Sequence, residues 1–364
     1  MTAPPPSVSI VVRSIGRPTL ERALASIAAQ DHPAIEIVIV AASGSAHPAL
    51  PGAIGSCRIV EVRRQDRLPR AEAADAGIRA ATGDWITFLD DDDELLPGHI
   101  TGLVAAAAAN PEVRAVTGRA LATFRNGRTE VWGQRFALSE LCARNFVHLS
   151  TLLFHRSLLA HGLAFDPNLH LHEDWDLALQ IAQHTPFADY PQATFRWHAD
   201  AGTSGGGGGG NVAGAEFARL RDYVYAKWAA ASDAHFERCG ALLNEAAAAA
   251  GAGRIDAAVA AARGVLAISQ NDPHALNLLS MLALRQGDGA AALAHQSLAV
   301  AVRPGDPDLL CNLALVLRGR GDEAGARTAL YDALAAAPAH ARAQALLREM
   351  AQARPADVRP PSQG

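Results

Sequence analysis

Runs of aliphatic and β-branched residues alternate with amphipathic helix patterns over the first half of the chain. Helix patterns begin at Pro18 and Thr19 and continue to Gln30, cover Ala71–Ala81, and start again at Pro97. Between them lie short apolar runs typical of strands buried on both faces. These runs are Val8–Arg13, Ile35–Ala42, Arg58–Val62 and Trp85–Leu89. Alternating strands and helices predict a mostly parallel, doubly wound α/β sheet.

The segment from Val113 to Phe165 is less regular, and its pattern predicts two or three strands and two short helices. A helix is predicted over Glu173–Gln183 and a short strand over Thr194–His198. The six consecutive glycines Gly205–Gly210 predict a mobile loop, because glycine loses the most backbone freedom on ordering. A helix over Ala213–Ala230 is predicted to close this domain.

Small and apolar residues recur every 34 positions in the last third of the chain. The recurring positions are Gly253, Gly287 and Gly321; Ala258, Ala292 and Ala326; Leu242, Leu276 and Leu310; Pro304 and Pro338. This period is that of the tetratricopeptide helix–turn–helix unit, which the stretch from Ala234 to Gln352 resembles. The first unit departs from the pattern at Glu245 and Gln270, as an end repeat with a single neighbour can.

Three segments follow from these patterns: an α/β domain over residues 7–232, about three repeats over residues 234–352, and a polar, disordered tail over residues 353–364. The repeats are expected to bind a protein partner or a second copy of the chain, because stacked repeats present a concave face.

Composition excludes several classes of protein. The net charge is −5, and no basic stripe stands out, so nucleic acid is not an expected partner. The longest apolar runs, Ile37–Ala42 and Leu103–Ala109, are far shorter than the roughly 20 residues of a membrane helix. The N-terminus lacks a signal-peptide pattern, and the four scattered cysteines suit a reducing compartment. We expect a cytoplasmic protein, either free or peripheral at the inner membrane.

Four consecutive carboxylates, Asp90–Asp93, follow the apolar strand Trp85–Leu89 directly. The carboxyl end of a parallel strand is where open α/β sheets bind ligands. A hard cation such as Mg²⁺ or Mn²⁺ would relieve the repulsion among these carboxylates and share itself with phosphate oxygens. The alternative is a solvated acidic loop before the helix at Pro97.

The segment Gly83–Asp93 with Pro97 resembles the family 2 glycosyltransferases of GT-A fold, as does the opening Val8–Val12. Further matching positions lie before the second strand: Arg17, Pro18, Leu24, Ser26, Gln30 and Pro33. The resemblance covers Ser7 to about Trp228. It implies transfer of a sugar from a nucleotide-diphosphate donor to a hydroxyl of a saccharide, lipid-linked or protein acceptor.

By this resemblance Asp92 is the expected Mn²⁺ or Mg²⁺ ligand. Asp90 and Asp91 would hold the donor or assist the metal, and Asp93 would support the loop. Donor-binding roles are also expected of Arg13 and Ser14 at the end of the first strand, and of Arg17, Arg67 and Arg70 through their affinity for phosphate.

A second acidic cluster, His172-Glu173-Asp174-Trp175-Asp176, begins a predicted helix. Acidic residues in a first helical turn are also favoured by the helix dipole alone. The resemblance makes Asp174 the general base that takes the proton of the acceptor hydroxyl, with Glu173 orienting it and Asp176 a weaker candidate. The resemblance also implies that the configuration at the anomeric carbon of the transferred sugar is inverted.

Three further groups complete the candidates. The resemblance makes His198, in Arg196-Trp197-His198, a ligand of the metal or a contact of the diphosphate; the alternative is a structural histidine. His148, Ser150 and Thr151 are weaker candidates for the acceptor pocket.

Two departures from the family pattern leave alternatives open. Ala41 and Ala42 stand where many members carry acidic residues that contact the nucleotide base, and Ala74-Asp75 replaces an Arg-Asn pair. The leading hypothesis is an enzyme of bacterial surface polysaccharide or glycoconjugate synthesis. The rivals are an inactive domain serving as a repeat-protein scaffold, and a nucleotidyltransferase, for which the loop Ser14–Pro18 is a poor match.

Overall fold

The structure is a computed structural model of the chain that describes residues 4–200 and 214–352. The chain forms two compact units, one of Met1–Arg135 with Glu140–Ser232 and one of Phe136–Ser139 with Asp233–Gly364. The predicted glycine loop and the predicted disordered tail lie outside the described residues.

The described strands and helices alternate through the first unit, and helices alone follow in the second. In chain order the strands are β1 (Val8–Ser14), β2 (Ile35–Ala41), β3 (Ala53–Ile54), β4 (Cys57–Arg63), β5 (Trp85–Asp90), β6 (Glu94–Leu95), β7 (Ala115–Thr123), β8 (Thr129–Trp132), β9 (Leu152–His155) and β10 (Phe187–His198). The helices are α1 (Leu20–Ala28), α2 (Arg70–Ala80), α3 (His99–Ala108), α4 (Leu138–Ala143), α5 (Glu173–Ala182), α6 (Gly214–Gly251), α7 (Ile255–Ile268), α8 (Pro273–Arg285), α9 (Gly289–Val302), α10 (Pro307–Gly319), α11 (Glu323–Ala336) and α12 (Ala341–Gln352).

The strands form one sheet in the order β3-β4-β2-β1-β5-β9-β7-β10-β6, with β8 paired to β7. The predicted parallel, doubly wound core is confirmed for β4-β2-β1-β5, whose neighbours are all parallel. Beyond β5 the sheet becomes mixed, because β9 pairs antiparallel with both β5 and β7. Parallel β1 and β5 therefore end at the same edge, where the sequence places Ser14 and the aspartates.

Close contact between α2 and the parallel strands depends on a glycine. A Cβ built on Gly77 would lie 2.2 Å from Val11 Cγ1 and 3.2 Å from Val40 Cγ2. Both valines are fully buried in the sheet. The glycine lets the helix lie near enough to the sheet for Arg70, at its first residue, to reach the strand ends.

Two predicted boundaries are wrong. The helix expected to end at Ala230 continues as α6 to Gly251, because the sequence there is rich in alanine and the isolated Gly240 lowers helix stability without ending the helix. The strand expected over Thr194–His198 begins at Phe187, and its pairing with β7 shifts register between Asp189 and Ala193. Pro191 lies inside that irregular part, which hides the strand in the sequence pattern.

The second unit repeats a helix pair, as the 34-residue period predicts. Gly253, Gly287 and Gly321 have φ of 74°, 79° and 83° and form the turns between helices. The small residues Ala258, Ala292 and Ala326 are fully buried where helices pack closely. Four aspartates, Asp272, Asp288, Asp306 and Asp322, cap helix N-termini through their side chains. Among the helices of residues 4–200 and 214–352, none is long and apolar enough to span a membrane.

Candidate active site

A cleft of about 610 Å³ opens at the carboxyl edge of the parallel strands, within the first unit. Its lining includes the ends of β1 and β5, the start of α2, the start of α5 and the first turns of α6. This is the edge at which open α/β sheets bind their ligands. Both predicted acidic clusters, Asp90–Asp93 and Glu173-Asp174, line this one cavity.

Two arginines and two carboxylates form a closed ring of ion pairs at the cleft floor. Arg13 donates to both oxygens of Asp90 at 2.9 Å, and its Nη1 lies 3.2 Å from Glu173 Oε1. Arg70 completes the ring, with its Nη2 3.0 Å from Asp90 Oδ2 and its Nε 2.9 Å from Glu173 Oε1. Each arginine therefore contacts both acids.

Sequence position explains why these four residues meet. Arg13 and Asp90 are register partners on adjacent strands β1 and β5, while Arg70 and Glu173 are the first residues of α2 and α5. Burial alone would raise the pKa of Asp90, but Arg13 and Arg70 outweigh burial and hold the pKa at about 2. Burial likewise opposes ionisation of Glu173, and the two arginines reverse the effect and lower its pKa.

Asp91 is turned away from this ring and holds the loop after β1. Its carboxylate accepts hydrogen bonds from Ser14 Oγ at 2.8 Å, from the Ile15 amide at 2.9 Å and from Arg17 Nη1 at 2.6 Å. His47 Nε2 lies 2.9 Å from the same Ser14 oxygen. The structure brings the predicted donor-binding residues Ser14 and Asp91 together, where each orders the other.

Asp92 faces the cleft, with its side chain 15% exposed and its Oδ2 3.2 Å from Arg17 Nη1. Burial and then the charge of Asp90 raise its pKa. Asp93 is more deeply buried and accepts a hydrogen bond from the His198 amide at 2.8 Å. Burial and the charge of Asp92 raise its pKa well above the usual range. Asp93 therefore joins the acidic loop to β10.

The geometry favours Asp92 over the other two predicted metal ligands. Within residues 4–200 and 214–352, no three histidine, cysteine or acidic side chains form a ready metal cage. Both oxygens of Asp90 already receive arginine hydrogen bonds. His198 lines the cleft, but its Nε2 lies 2.9 Å from Glu94 Oε1. A hard cation that also binds phosphate and water needs only one or two protein carboxylates, which Asp92 fits.

Asp174, the second residue of α5, has the character of a base. Its Oδ1 accepts hydrogen bonds from Asn145 Nδ2 at 3.0 Å and from the Trp175 amide at 2.7 Å. Burial, followed by the charge of Glu173, raises its pKa to about 7. A carboxyl group with a pKa near neutrality can take and return a proton under physiological conditions.

Asp176, the weaker candidate, serves structure instead. It accepts hydrogen bonds from Lys227 Nζ at 3.0 Å and Trp228 Nε1 at 2.8 Å, and so ties α5 to α6. Asp75 similarly accepts a hydrogen bond from the Phe165 amide at 3.0 Å.

The predicted acceptor residues are only partly in the cleft. His148 lines it and packs on Phe195 and Trp197 at ring distances of 4.7 and 5.5 Å. Burial lowers the pKa of His148 to about 4, so the ring is neutral at pH 7. Ser150 and Thr151 are buried beside it and are not among the described cleft residues. Arg17 and Arg67 do line the cleft.

Sequence reasoning missed several residues that line the cleft together with Asp174. Asn145, Arg144, Phe217 and Tyr225 all line the cleft but stand in irregular or helical segments without a motif. The only signal available was the aromatic content at the start of α6, which is equally typical of an ordinary core helix.

The sheet ends in an acidic cluster that shares one cleft with Asp174 at the start of α5, which is the arrangement that the resemblance to glycosyltransferases of GT-A fold implies. Residues 8–162 match the model of glycosyl transferase family 2, and this part of the chain is similar to the glycosyltransferases of that family. The family match favours glycosyl transfer over nucleotidyl transfer.

Two curated relatives and two solved structures are similar to parts of the chain. The chain is 30% identical over 216 residues to succinoglycan biosynthesis protein ExoO of Rhizobium meliloti (strain 1021), covering 54% of this chain and 62% of ExoO. It is 27% identical over 182 residues to the uncharacterized glycosyltransferase YwdF of Bacillus subtilis (strain 168), covering 48% of this chain and 68% of YwdF. The chain thus spans less than two thirds of the length of ExoO.

The structural neighbours each cover 32% of this chain with a TM-score of 0.30. One is an O-GlcNAc transferase mutant of Thermobaculum terrenum, 31% identical and covered over 22% of its length. The other is the first tetratricopeptide domain of Spaghetti bound to an HSP90 peptide, 17% identical and covered over 93% of its length.

Proposed function

We propose that the first unit is an inverting, metal-dependent glycosyltransferase that moves a sugar from a nucleotide-diphosphate donor to a hydroxyl acceptor. One observation carries the proposal: Asp174, a half-buried carboxyl group with a pKa of about 7, shares a single cleft with the acidic strand end at Asp92.

On the acceptor side, Asp174 takes the proton while the acceptor oxygen attacks the anomeric carbon. The bond from that carbon to the diphosphate oxygen breaks as the new bond forms, and the diphosphate leaves with the electron pair. Among the bonds of the described residues, both donors to Asp174 reach Oδ1, which leaves Oδ2 for the proton. Attack from the face opposite the leaving group inverts the configuration at the anomeric carbon.

On the donor side, Asp92 would hold Mn²⁺ or Mg²⁺, which supplies positive charge to offset the charge of the departing diphosphate. Arg67 lines the same cleft and suits phosphate oxygens by bidentate hydrogen bonding. Arg17 lines it too, and its Nη1 also pairs with Asp91 at 2.6 Å and with Asp92 at 3.2 Å. The ring of Arg13, Arg70, Asp90 and Glu173 lines the same cleft, and its ion pairs hold these four side chains together.

The physiological role we propose is a step of bacterial surface polysaccharide or glycoconjugate synthesis, supported by the similarity of 216 residues to ExoO. We propose a cytoplasmic location, free or at the inner membrane surface. The repeat unit would recruit a protein partner or a second copy of the chain, as stacked helical repeats commonly do.

A donor screen tests the enzymatic proposal. Melting temperature is measured with a panel of nucleotide-diphosphate sugars in the presence of Mn²⁺ or Mg²⁺, and release of nucleotide diphosphate is then followed with the donor that stabilises most. Asp92→Asn should abolish the metal-dependent stabilisation. Asp174→Asn should retain it but lower turnover by about 10²–10⁴. The exposed change Glu112→Gln is the matched control and should alter neither.

The missing acidic residues at Ala41 and Ala42 give the rival scaffold hypothesis its support. Absence of stabilisation by every donor, together with absence of nucleotide release, would establish an inactive domain whose function lies in the repeats.

A further inference from the structure

An aromatic wall stands on the Asp174 side of the cleft and has no part in the proposed chemistry. It is formed by Phe217, Arg221 and Tyr225, spaced four residues apart on one face of α6. Phe217 and Tyr225 are each 39% exposed although both are large and aromatic. Exposed aromatic side chains inside a cleft are a common sign of a ligand surface.

Ring contacts place this wall beside the proposed base. The Phe217 ring lies 4.4 Å from the ring of His172, and the Tyr225 ring lies 5.2 Å from that of Trp175. His172 and Trp175 are the residues on either side of Glu173-Asp174. The wall therefore lies next to the residues that flank the proposed base.

The wall is held in place from two directions. The hydroxyl of Tyr225 donates to the Ala143 carbonyl at 2.6 Å, close to the Asn145 that orients Asp174. Behind the wall, Lys227 Nζ lies 2.8 Å from Asp166 and 2.9 Å from Asp176 of α5. The aromatic faces and the base are thus parts of one braced structure, as positioning of a reacting hydroxyl requires.

The side chains of the wall indicate which kind of ligand it would bind. Aromatic faces attract flat apolar surfaces that carry partial positive charge on their hydrogens, and the C–H face of a pyranose ring is such a surface. Arg221 and Arg144 also line the cleft, and guanidinium groups are donors that suit the hydroxyl oxygens around the same ring. Arg221 already donates to Asp222, and the Arg144 guanidinium lies 4.6 Å from the Phe146 ring. A pyranose thus matches both features and also supplies the hydroxyl that Asp174 needs.

We infer that the α6 wall is the acceptor subsite and that the acceptor is a pyranose whose ring stacks on Phe217 and Tyr225. The inference rests on the proposed function, because the role of Asp174 identifies the acceptor side. A free oligosaccharide and a lipid-linked saccharide share this chemistry. A protein segment does not.

Binding of simple sugars tests the inference without a donor. The probes are methyl glycosides of glucose, galactose, mannose and N-acetylglucosamine, followed by saturation-transfer NMR on the full chain, with dissociation constants from titration. We expect at least one probe to receive saturation on its ring C–H protons. Phe217→Ala should weaken its binding at least tenfold, and Tyr225→Phe, which keeps the ring, should weaken it less than threefold.

Phe236→Ala is the matched control, since Phe236 is an exposed aromatic residue of the same helix that does not line the cleft. It should leave binding unchanged. Melting curves of each variant verify folding. An octyl glycoside of the bound sugar, used below its micelle concentration, separates the sources: tighter binding indicates a lipid-linked acceptor, and equal binding a free saccharide.

The inference is overturned if no methyl glycoside binds the wild-type chain, or if Phe217→Ala binds as well as wild type. Preferential binding of serine- and threonine-containing peptides at the wall would also overturn it. The donor screen is scored separately. If sugars bind but no donor binds, the proposed enzymatic function is wrong and the acceptor subsite stands. If a donor is turned over but no pyranose binds, only the assignment of the acceptor subsite is wrong.

Discussion

Arg13 and Asp90 are register partners on adjacent parallel strands, and Arg13 donates to both carboxylate oxygens of Asp90 at 2.9 Å. The pairing links the end of β1 to the end of β5 at the floor of the cleft. Since Arg13 also reaches Glu173 at 3.2 Å, it connects the two acidic clusters that the sequence keeps far apart.

Replacing Arg13 should destabilise the first unit. Arg13→Ala leaves two buried carboxylates with Arg70 as their remaining ring partner, and loss of one partner of a buried ion pair costs about 3–5 kcal/mol. Arg13→Lys should cost less but should not restore wild-type stability, because an ammonium cannot make the bidentate contact. Urea unfolding measures both, with exposed Arg64→Ala as control. A loss below about 1 kcal/mol for Arg13→Ala, the size typical of an exposed pair, would contradict the ring's importance.

Asp174→Asn should stabilise the fold increasingly as pH rises. The pKa of Asp174 is raised from 3.8 to about 7, so the folded state holds a proton that the unfolded state releases. The resulting stability is complete below pH 3.8 and is lost as pH increases towards 7. Asparagine carries no such proton. The difference in melting temperature between variant and wild type should therefore grow from pH 4 to about pH 7 and then level off. A difference independent of pH would show that Asp174 titrates normally.

Asn145→Ala should move the pH dependence of turnover to higher pH. Asn145 donates to Asp174 Oδ1 at 3.0 Å and so favours the charged carboxylate. Without that donor the pKa of Asp174 increases further, and the ascending limb of kcat/KM against pH shifts upward. Asn145→Asp should shift the limb further still, because it adds a like charge. An unmoved limb in both variants would mean that Asp174 is not the group that titrates in the reaction.

Gly77→Ala and Gly240→Ala should have opposite effects on stability. At Gly77 a new Cβ would lie 2.2 Å from Val11 Cγ1, and such overpacking costs about 1–3 kcal/mol. At Gly240, in α6, a new Cβ would meet no heavy atom of the described residues within 4 Å beyond its own stretch of helix. Alanine there should add about 0.5–1 kcal/mol through helix propensity. Thermal unfolding of both variants provides the comparison. Equal effects would mean that α2 can move away from the sheet.

Structural features that depend on the local pattern of residues can be predicted from the sequence. Buried strands and the position of the acidic cluster follow from residue spacing, since parallel strands bring Asp90 to the edge where β1 ends. The turns of the repeat unit also follow from pattern, because Gly253, Gly287 and Gly321 occupy the left-handed conformation that glycine favours.

Contacts between distant segments were beyond local pattern. Arg13 and Arg70, which were predicted to bind the donor, also pair with Asp90 and Glu173, and the sequence pattern did not predict these pairs. No spacing rule reveals a partner 160 positions away. The aromatic wall was missed for a related reason. Whether a residue such as Phe217 is exposed depends on how α5 and α6 pack, which the sequence pattern does not give.

The ring of two arginines and two carboxylates constrains how this sequence can diverge. Every member contacts both members of opposite charge, so a single replacement leaves an excess charge where water is scarce. Loss of one cation is tolerated best when one anion is lost with it. Natural drift at these four positions should therefore proceed by coupled exchanges, and descendants that have changed only one of them should be rare.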